Sequence, residues 1–348
     1  METNRIQINR WFDRHLHLRD GEMLKTVLPC TLAQRPTGAL IMPNLVPPIT
    51  TIERAVAYKK RIQALIPDGC DFNPCMSVYL TDNTDPEEVK RGYEEGVWVA
   101  AKLYMADING KGGTTNSEGA VRNLRNLNKV FATMEKIGMP LLGHFEVAEK
   151  NVDPYDREVR SLKRDLKPLL KSFPELQVVA EHVTDGRMAD FVAEANYKIF
   201  ATVTAHHLLF SRNALYDGGM NPINYCRPIL KREKHQLKLR KYVTSGNPRF
   251  GAGTDSAPHP REEKEKCCGC AAGVFPVNSA ALYAIVFDEE NKHEHMNGFM
   301  SQNFLHLYGI RPSKEFMTIK RQPSIIPKMV GSVHVFKGGE TLEWTVED

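Results

Sequence analysis

The sequence contains no run of 18 apolar residues, and its opening stretch METNRIQINRWFDRH has neither an apolar signal core nor a transit pattern. A membrane span and a secretory route are therefore not expected, and a cytoplasmic protein is. An excess of one charge is missing too. The 46 basic and 42 acidic residues give a formal net charge of +4, spread along the whole length without a basic tail or stripe, which argues against nucleic acid as a partner. The cysteines, at 30, 70, 75, 226, 267, 268 and 270, are odd in number and form no disulfide-like framework, so reduced thiols fit best. The cluster CCGC at 267–270 lacks the second spaced pair of a closed sulfur–zinc site and reads as a tight loop around Gly269. No G-x-G-x-x-G or G-x-x-x-x-G-K follows any strand candidate, so the nucleotide sites of open doubly wound sheets have no motif here. Internal repeats and low-complexity segments are absent as well.

What is present is a repeated alternation. Short β-branched or apolar runs, each followed by a polar loop and then a helix-like stretch, occur at 12–18, 38–43, 74–80, 97–104, 139–144, 176–182, 198–204 and 249–255. Eight such units predict a (β/α)8 TIM barrel, an α/β fold that 348 residues can accommodate. Between the strands, 85–95 predicts a helix capped by Asp85 with Pro86 at its first position. A second helix is predicted over 117–137, where Val121, Leu124, Leu127, Phe131 and Met134 recur at helical intervals before Gly138. The tail, 331–346, predicts a hairpin turning at Gly338–Gly339 and packed outside the barrel.

Chemistry enters at the strand ends. His15 and His17 stand two apart on one strand and so face one side. His144, His182 and Asp255 end three other strands and would project from the same rim, the face on which barrel enzymes gather their catalytic groups. Lys102 lies inside the apolar strand VWVAAKLY, where an ammonium is costly; it either snorkels outward or becomes a carbamate by taking up CO2. Arg19, two residues after His17, points to the site if strand geometry persists that far.

In this order and spacing, HLHLRDG (15–21), MPN (42–44), AAKLY (100–104), His144, His182, GTDSAPH (253–259) and CGCAA (268–272) resemble the dihydroorotases of the shorter, bacterial-type class within the amidohydrolase superfamily, from about residue 11 to the C-terminus. The resemblance implies one domain, a barrel over about 11–310 with a C-terminal extension over about 311–348. It implies two Zn2+ per chain, bridged by carboxylated Lys102 and a hydroxide. His15, His17, Lys102 and Asp255 would hold one zinc and Lys102, His144 and His182 the other, with Asp255 as the catalytic base and acid. Arg19, Asn44 and His259 would bind the substrate carboxylate, Thr114 and Thr115 would close over it, and the backbone at Ala271 would recognise the ring. A homodimer in the cytoplasm is also implied, acting on the small molecules N-carbamoyl-L-aspartate and L-dihydroorotate in pyrimidine biosynthesis. Two departures stand out: extra residues between Lys102 and the Thr pair, and Arg227 where such relatives commonly carry leucine at a substrate-binding position.

Two other readings stay open at this point. A hydantoinase, dihydropyrimidinase or allantoinase would share the fold and metal set, but a neutral ring would leave the Arg19–Asn44–His259 clamp unpaired. A metal-free scaffold for a partner enzyme has no use for Lys102 and five metal-binding side chains at one rim.

Overall fold

The computed structural model describes residues 4–106 and 113–347. In chain order its strands are β1 (Arg5–Asn9), β2 (Phe12–Leu16), β3 (Gly38–Ile41), β4 (Asn73–Tyr79), β5 (Ala100–Tyr104), β6 (Leu141–His144), β7 (Val178–Ala180), β8 (Ile199–Val203), β9 (Phe250–Ala252), β10 (Phe316–Ile325), β11 (Met329–Val330), β12 (Val333–His334) and β13 (Thr341–Val346). β2 to β9 pair in sequence order, every neighbouring pair parallel, with helices between them. This is the expected (β/α)8 barrel. Its strands are buried along nearly their whole length, which is why they read as apolar runs rather than as alternating patterns.

The barrel closes where β2 meets the segment after β9. His17 donates its backbone N–H to the Ser256 carbonyl at 3.1 Å, and Asp255 donates to the His15 carbonyl at 2.9 Å. That seam brings the two ends of the strand set, and three of the chemically interesting side chains, into contact. Inside the barrel, Phe12, Leu40, Ala100, Leu142 and Val179 pack with Phe304, Leu305 and Tyr308, so the interior is filled rather than hollow.

Helix Pro86–Glu94 forms as expected, with the Asp85 carboxylate accepting from the Glu87 amide. The helix expected over 117–137 is shorter. A 3-10 turn spans Leu124–Leu127 and the α-helix proper Asn128–Ile137, ending at Gly138 in the left-handed region with φ 71°. Val121 keeps its helical spacing but spends its backbone on the barrel. It donates to Tyr104 O at 2.9 Å and accepts from Ala106 at 2.8 Å, and Asn123 then caps the turn.

The tail also differs from a self-contained hairpin. Gly338 and Gly339 do turn the chain, with Gly338 N–H bonded to Val335 O at 3.0 Å, but the two arms part. β12 pairs with β11, while β13 pairs with β10, which pairs with β1. An isolated two-stranded ribbon is marginal in water; the third strand lets Leu342 and Trp344 bury fully. β1 and β10 were not anticipated, although Ile6 and Ile8 alternate inward on β1. Among the described residues no helix is long and apolar enough to cross a membrane.

Candidate active site

The seam sets the first cluster. His15 Nε2 and His17 Nε2 lie 3.3 Å apart. Asp255 Oδ1 is 3.3 Å from the first and 3.1 Å from the second. The His182 ring lies 5.0 Å from that of His15, and the His144 ring 4.5 Å from that of His182. His15, His182 and Asp255 offer ligand atoms all within 4.8 Å of one another. Lys102 sits on β5 beneath them, fully buried, its Nζ 5.0 Å above the Tyr104 ring and without a hydrogen-bond partner. The six expected metal residues are therefore brought together.

Two carboxylates that sequence reasoning missed stand behind the imidazoles. Glu181 Oε2 lies 2.5 Å from His15 Nδ1 and accepts from the Thr202 hydroxyl at 2.6 Å; that hydroxyl in turn accepts from the His182 amide at 2.7 Å. Glu146 Oε2 lies 2.9 Å from His144 Nε2. Each carboxylate fixes the tautomer of its imidazole, and on His15 this leaves Nε2 facing His17 and Asp255. The signal was in the sequence: HFE (144–146) and EH (181–182) place an acid beside a strand-end histidine at the close of an apolar strand.

Burial governs the charges. It pushes His17 down to about 3 and lowers His144 and His182 as well, so these rings are neutral bases. Burial alone would raise Asp255, but His15 and His17 hold it well below the usual carboxylate range. For His15, burial and Lys102 press downward, yet Glu181 and Asp255 outweigh them and its pKa rises. Lys102 is lowered to about 8, burial winning over Glu181 and Asp255.

Above this floor opens a cavity of about 900 Å3. His17, His144, His182 and Asp255 line its base, and the expected substrate contacts Arg19, Asn44, Thr114, Thr115, Arg227, His259 and Ala271 line its walls. Arg19 donates through Nε to Pro258 O at 3.1 Å and through Nη2 to His259 Nε2 at 3.1 Å. Burial, then Arg19, depresses His259 to about 3, so it meets the arginine as a neutral acceptor. Asn44 Nδ2 donates to Thr115 Oγ1 at 3.3 Å, while its Oδ1 has no partner. The Thr114 hydroxyl is bonded to the Met105 backbone at 3.2 Å. Arg227 donates to the Gly113 carbonyl and, at 3.3 Å, to the Tyr225 hydroxyl. The Ala271 amide is bonded to Glu263 O at 2.8 Å.

Arg19 reaches the cavity by a different route from the one expected. β2 ends at Leu16, and Arg19 adopts φ 57°, in the left-handed region; His182 and Asp255 do the same at φ 40° and 44°. Three site residues thus turn sharply just beyond their strands, a strained conformation that collects at functional sites. Cys267 and Cys268 are exposed, and the chain turns between Cys268 and Cys270 at Gly269, which adopts φ 70°. The extra residues before Thr114 include 107–112, which lie outside the described residues.

No protein-family model matches the chain. Among known proteins it is 44% identical over 346 residues to the dihydroorotase of Escherichia fergusonii, covering 98% of each. It is 45% identical over 336 residues to that of Parasynechococcus marenigrum, covering 96% of each. Two solved dihydroorotases superpose over nearly their full length. One, from Saccharomyces cerevisiae in complex with 5-fluoroorotic acid, gives a TM-score of 0.90 at 30% identity, covering 99% of both chains. The other, from Campylobacter jejuni, gives 0.87 at 31% identity, covering 100% of this chain and 99% of that one. The L-hydantoinase of Arthrobacter aurescens shares the fold, with a TM-score of 0.81 over 98% of this chain and 82% of its own, but only 15% of its residues. Identity of this extent across the whole length, together with a shared barrel, establishes that the chain belongs to the dihydroorotases, hydrolases that act on a cyclic amide.

Proposed function

We propose that the cavity interconverts N-carbamoyl-L-aspartate and L-dihydroorotate, with the metal cluster as its floor and Arg19, His259 and Asn44 as its carboxylate clamp. The observation that carries this assignment is the Arg19–His259 pair at 3.1 Å, opening on the same cavity as Asp255. A guanidinium held there favours an anionic ligand, because an arginine presents a planar fork that matches a carboxylate. The yeast relative was crystallised with 5-fluoroorotic acid, a ring that bears such a group.

The donor set fits divalent metal. Lys102 Nζ and His182 Nδ1 are buried without partners, and imidazoles with a carboxylate suit zinc. His15, His17, Lys102 and Asp255 would hold one Zn2+ and Lys102, His144 and His182 the other. Lys102 would serve as a carbamate, since a bare ammonium would repel both metals. Bound there, two zincs polarise a carbonyl and supply an ionised water at neutral pH.

The chain's own groups do the rest. Arg19 fixes the substrate carboxylate, Asn44 Nδ2 turns to it from Thr115, and His259 joins as a donor once its ring proton moves to Nε2 and the carboxylate takes the place of that nitrogen opposite Arg19 Nη2. The unpaired Asn44 Oδ1 accepts from a substrate N–H, and the Ala271 carbonyl, its amide being occupied, receives another. Asp255, ionised and at the base of the cavity, takes a proton in ring opening and returns it to the departing ring nitrogen; in ring closure it relays the proton lost from the ureido nitrogen. Thr115, freed from Asn44, and Arg227 complete the wall around the acyclic substrate, with Thr114 holding the segment to Met105. A homodimer in the cytoplasm belongs to the same proposal, resting on the resemblance. Protein of known zinc content, assayed with carbamoyl aspartate, dihydroorotate, hydantoin and allantoin, should turn over the first two only. Equal turnover of the neutral rings would overturn the clamp assignment.

A further inference from the structure

A second group of ligand side chains lies outside the catalytic cluster. His206 and His207 follow β8 on the short helix Ala205–Leu209, and Cys226 comes from the segment 225–229. All three are buried, and their ligand atoms lie within 4.8 Å of one another. Residues Tyr225, Arg227 and Ile229 line the catalytic cavity, whereas Cys226 and Pro228, which alternate with them, do not. The strip therefore turns one set of residues to the cavity and the other away from it, towards His206 and His207. We propose that His206, His207, Cys226 and the Pro228 carbonyl form a further metal site, closed and structural, for a borderline divalent cation such as Zn2+ or Co2+.

Two observations point to a cation. The first is His206, 1% exposed, with neither ring nitrogen hydrogen-bonded. One of those nitrogens carries a proton and the other a lone pair, and buried polar groups are seldom left with both unmet. The second is the Pro228 carbonyl, which takes His207 Nε2–H at 2.9 Å and the Cys226 thiol at 3.3 Å, with Sγ and Nε2 3.5 Å apart. Tetrahedral zinc bonds of about 2.0–2.3 Å set neighbouring ligand atoms about 3.3–3.6 Å apart. The sulfur spacings already fall in that range, and the nitrogen and oxygen need to separate by a few tenths of an ångström.

The cation takes the place of the two protons that now point at Pro228 O. The thiol proton leaves to solvent, so Sγ binds as thiolate. The imidazole proton of His207 moves from Nε2 to Nδ1, where the Thr204 hydroxyl, 2.7 Å away, turns from donor to acceptor. Pro228 O, relieved of both donors, becomes the oxygen ligand, and His206 supplies the remaining nitrogen. One thiolate offsets half of the metal charge. Lys231 and Lys264, the cations acting on Cys226, are tied to the carbonyls of Ile229 and of Tyr225 and Gly273. A metal here fastens β8 to the strip that carries Arg227 and Ile229. This inference does not depend on the catalytic assignment.

The test uses the whole protein, stripped of metal and reloaded with Co2+. Thiolate bound to Co2+ gives a near-ultraviolet charge-transfer absorption that the nitrogen and oxygen ligands of the catalytic cluster cannot give. Wild type should show it and bind one equivalent more than Cys226→Ser, which should lose the band while keeping the catalytic equivalents. His206→Gln, which retains the thiol, should bind Co2+ at this site at least tenfold more weakly, and it decides the matter should Cys226→Ser not fold. Absence of the band from wild type at saturating Co2+ would overturn the site, as water in its place would give no signal. A band that survives in Cys226→Ser would overturn it too, assigning the thiolate to another cysteine.

Discussion

The floor and the wall of the proposed catalytic cavity are built on different physical terms. On the floor, His15 and His144 each lean on a buried carboxylate, at 2.5 and 2.9 Å. The rings are spaced by strand geometry and by the closing seam, and little there can move without breaking the barrel. On the wall, Arg19, Asn44, Thr114 and Arg227 come from loops. They hold themselves in place largely by bonds to backbone carbonyls or to one another, bonds that a ligand can replace at small cost. The lesson is one of division: the proposed chemistry stands where the scaffold is stiff, the proposed recognition where bonds can be exchanged.

Mutations sharpen that contrast in order of expected effect. Lys102→Ala should abolish activity, with slight recovery from short carboxylic acids that fill the vacated place, whereas Lys102→Arg should not respond because its guanidinium stays cationic. Turnover with and without added acid measures both, and full activity of Lys102→Ala would remove the residue from the floor. On the wall, Arg19→Met should cost roughly 1.5–3 kcal/mol in dihydroorotate binding, the range of a charge-assisted hydrogen bond. An unchanged KM and kcat/KM would show that no carboxylate sits there.

Glu181→Gln tests whether the outer carboxylates matter. It should weaken metal affinity about 10- to 100-fold while leaving the substrate clamp intact. Chelator competition reads the affinity directly, and equal metal retention would reduce Glu181 to packing. His144→Ala should lose one metal while partly sparing the other; equal retention of both, by elemental analysis, would mean that the ligands are wrongly divided.

The last prediction concerns stability against pH and leaves turnover at neutral pH aside. His259 is depressed to about 3 in the fold by burial and then by Arg19, against an ordinary value near 6.5. Between those values the unfolded chain binds more protons than the folded one, so this residue's share of stability is lost as pH falls from about 6.5 towards 3, at up to about 1.4 kcal/mol per pH unit. His259→Gln should flatten the acid limb of a melting-temperature profile and leave the neutral region unchanged. An identical limb would indicate that His259 titrates normally.

Several of these features were legible in the residues alone. Eight apolar runs separated by helical stretches specify a barrel, because parallel strands buried on both faces read as continuous hydrophobic segments. His15 and His17 face one space because the strand period is two. AAKLY marks Lys102 because a lysine inside such a run must be explained chemically. What the sequence left open depended on contacts between distant segments. The closing bonds between β2 and Ser256 decide that Asp255 meets both histidines. A left-handed turn, not strand phase, aims Arg19 into the cavity. Val121 bonds its backbone to the barrel and not to a helix, and the tail divides between two sheets because β10 lies beside β13. Glu181 and Glu146 carried only a faint local signal. Periodicity and side-chain chemistry are properties of a segment; register, closure and the partner of a buried carboxylate are properties of the assembled chain, since they are set by atoms that sequence places far apart.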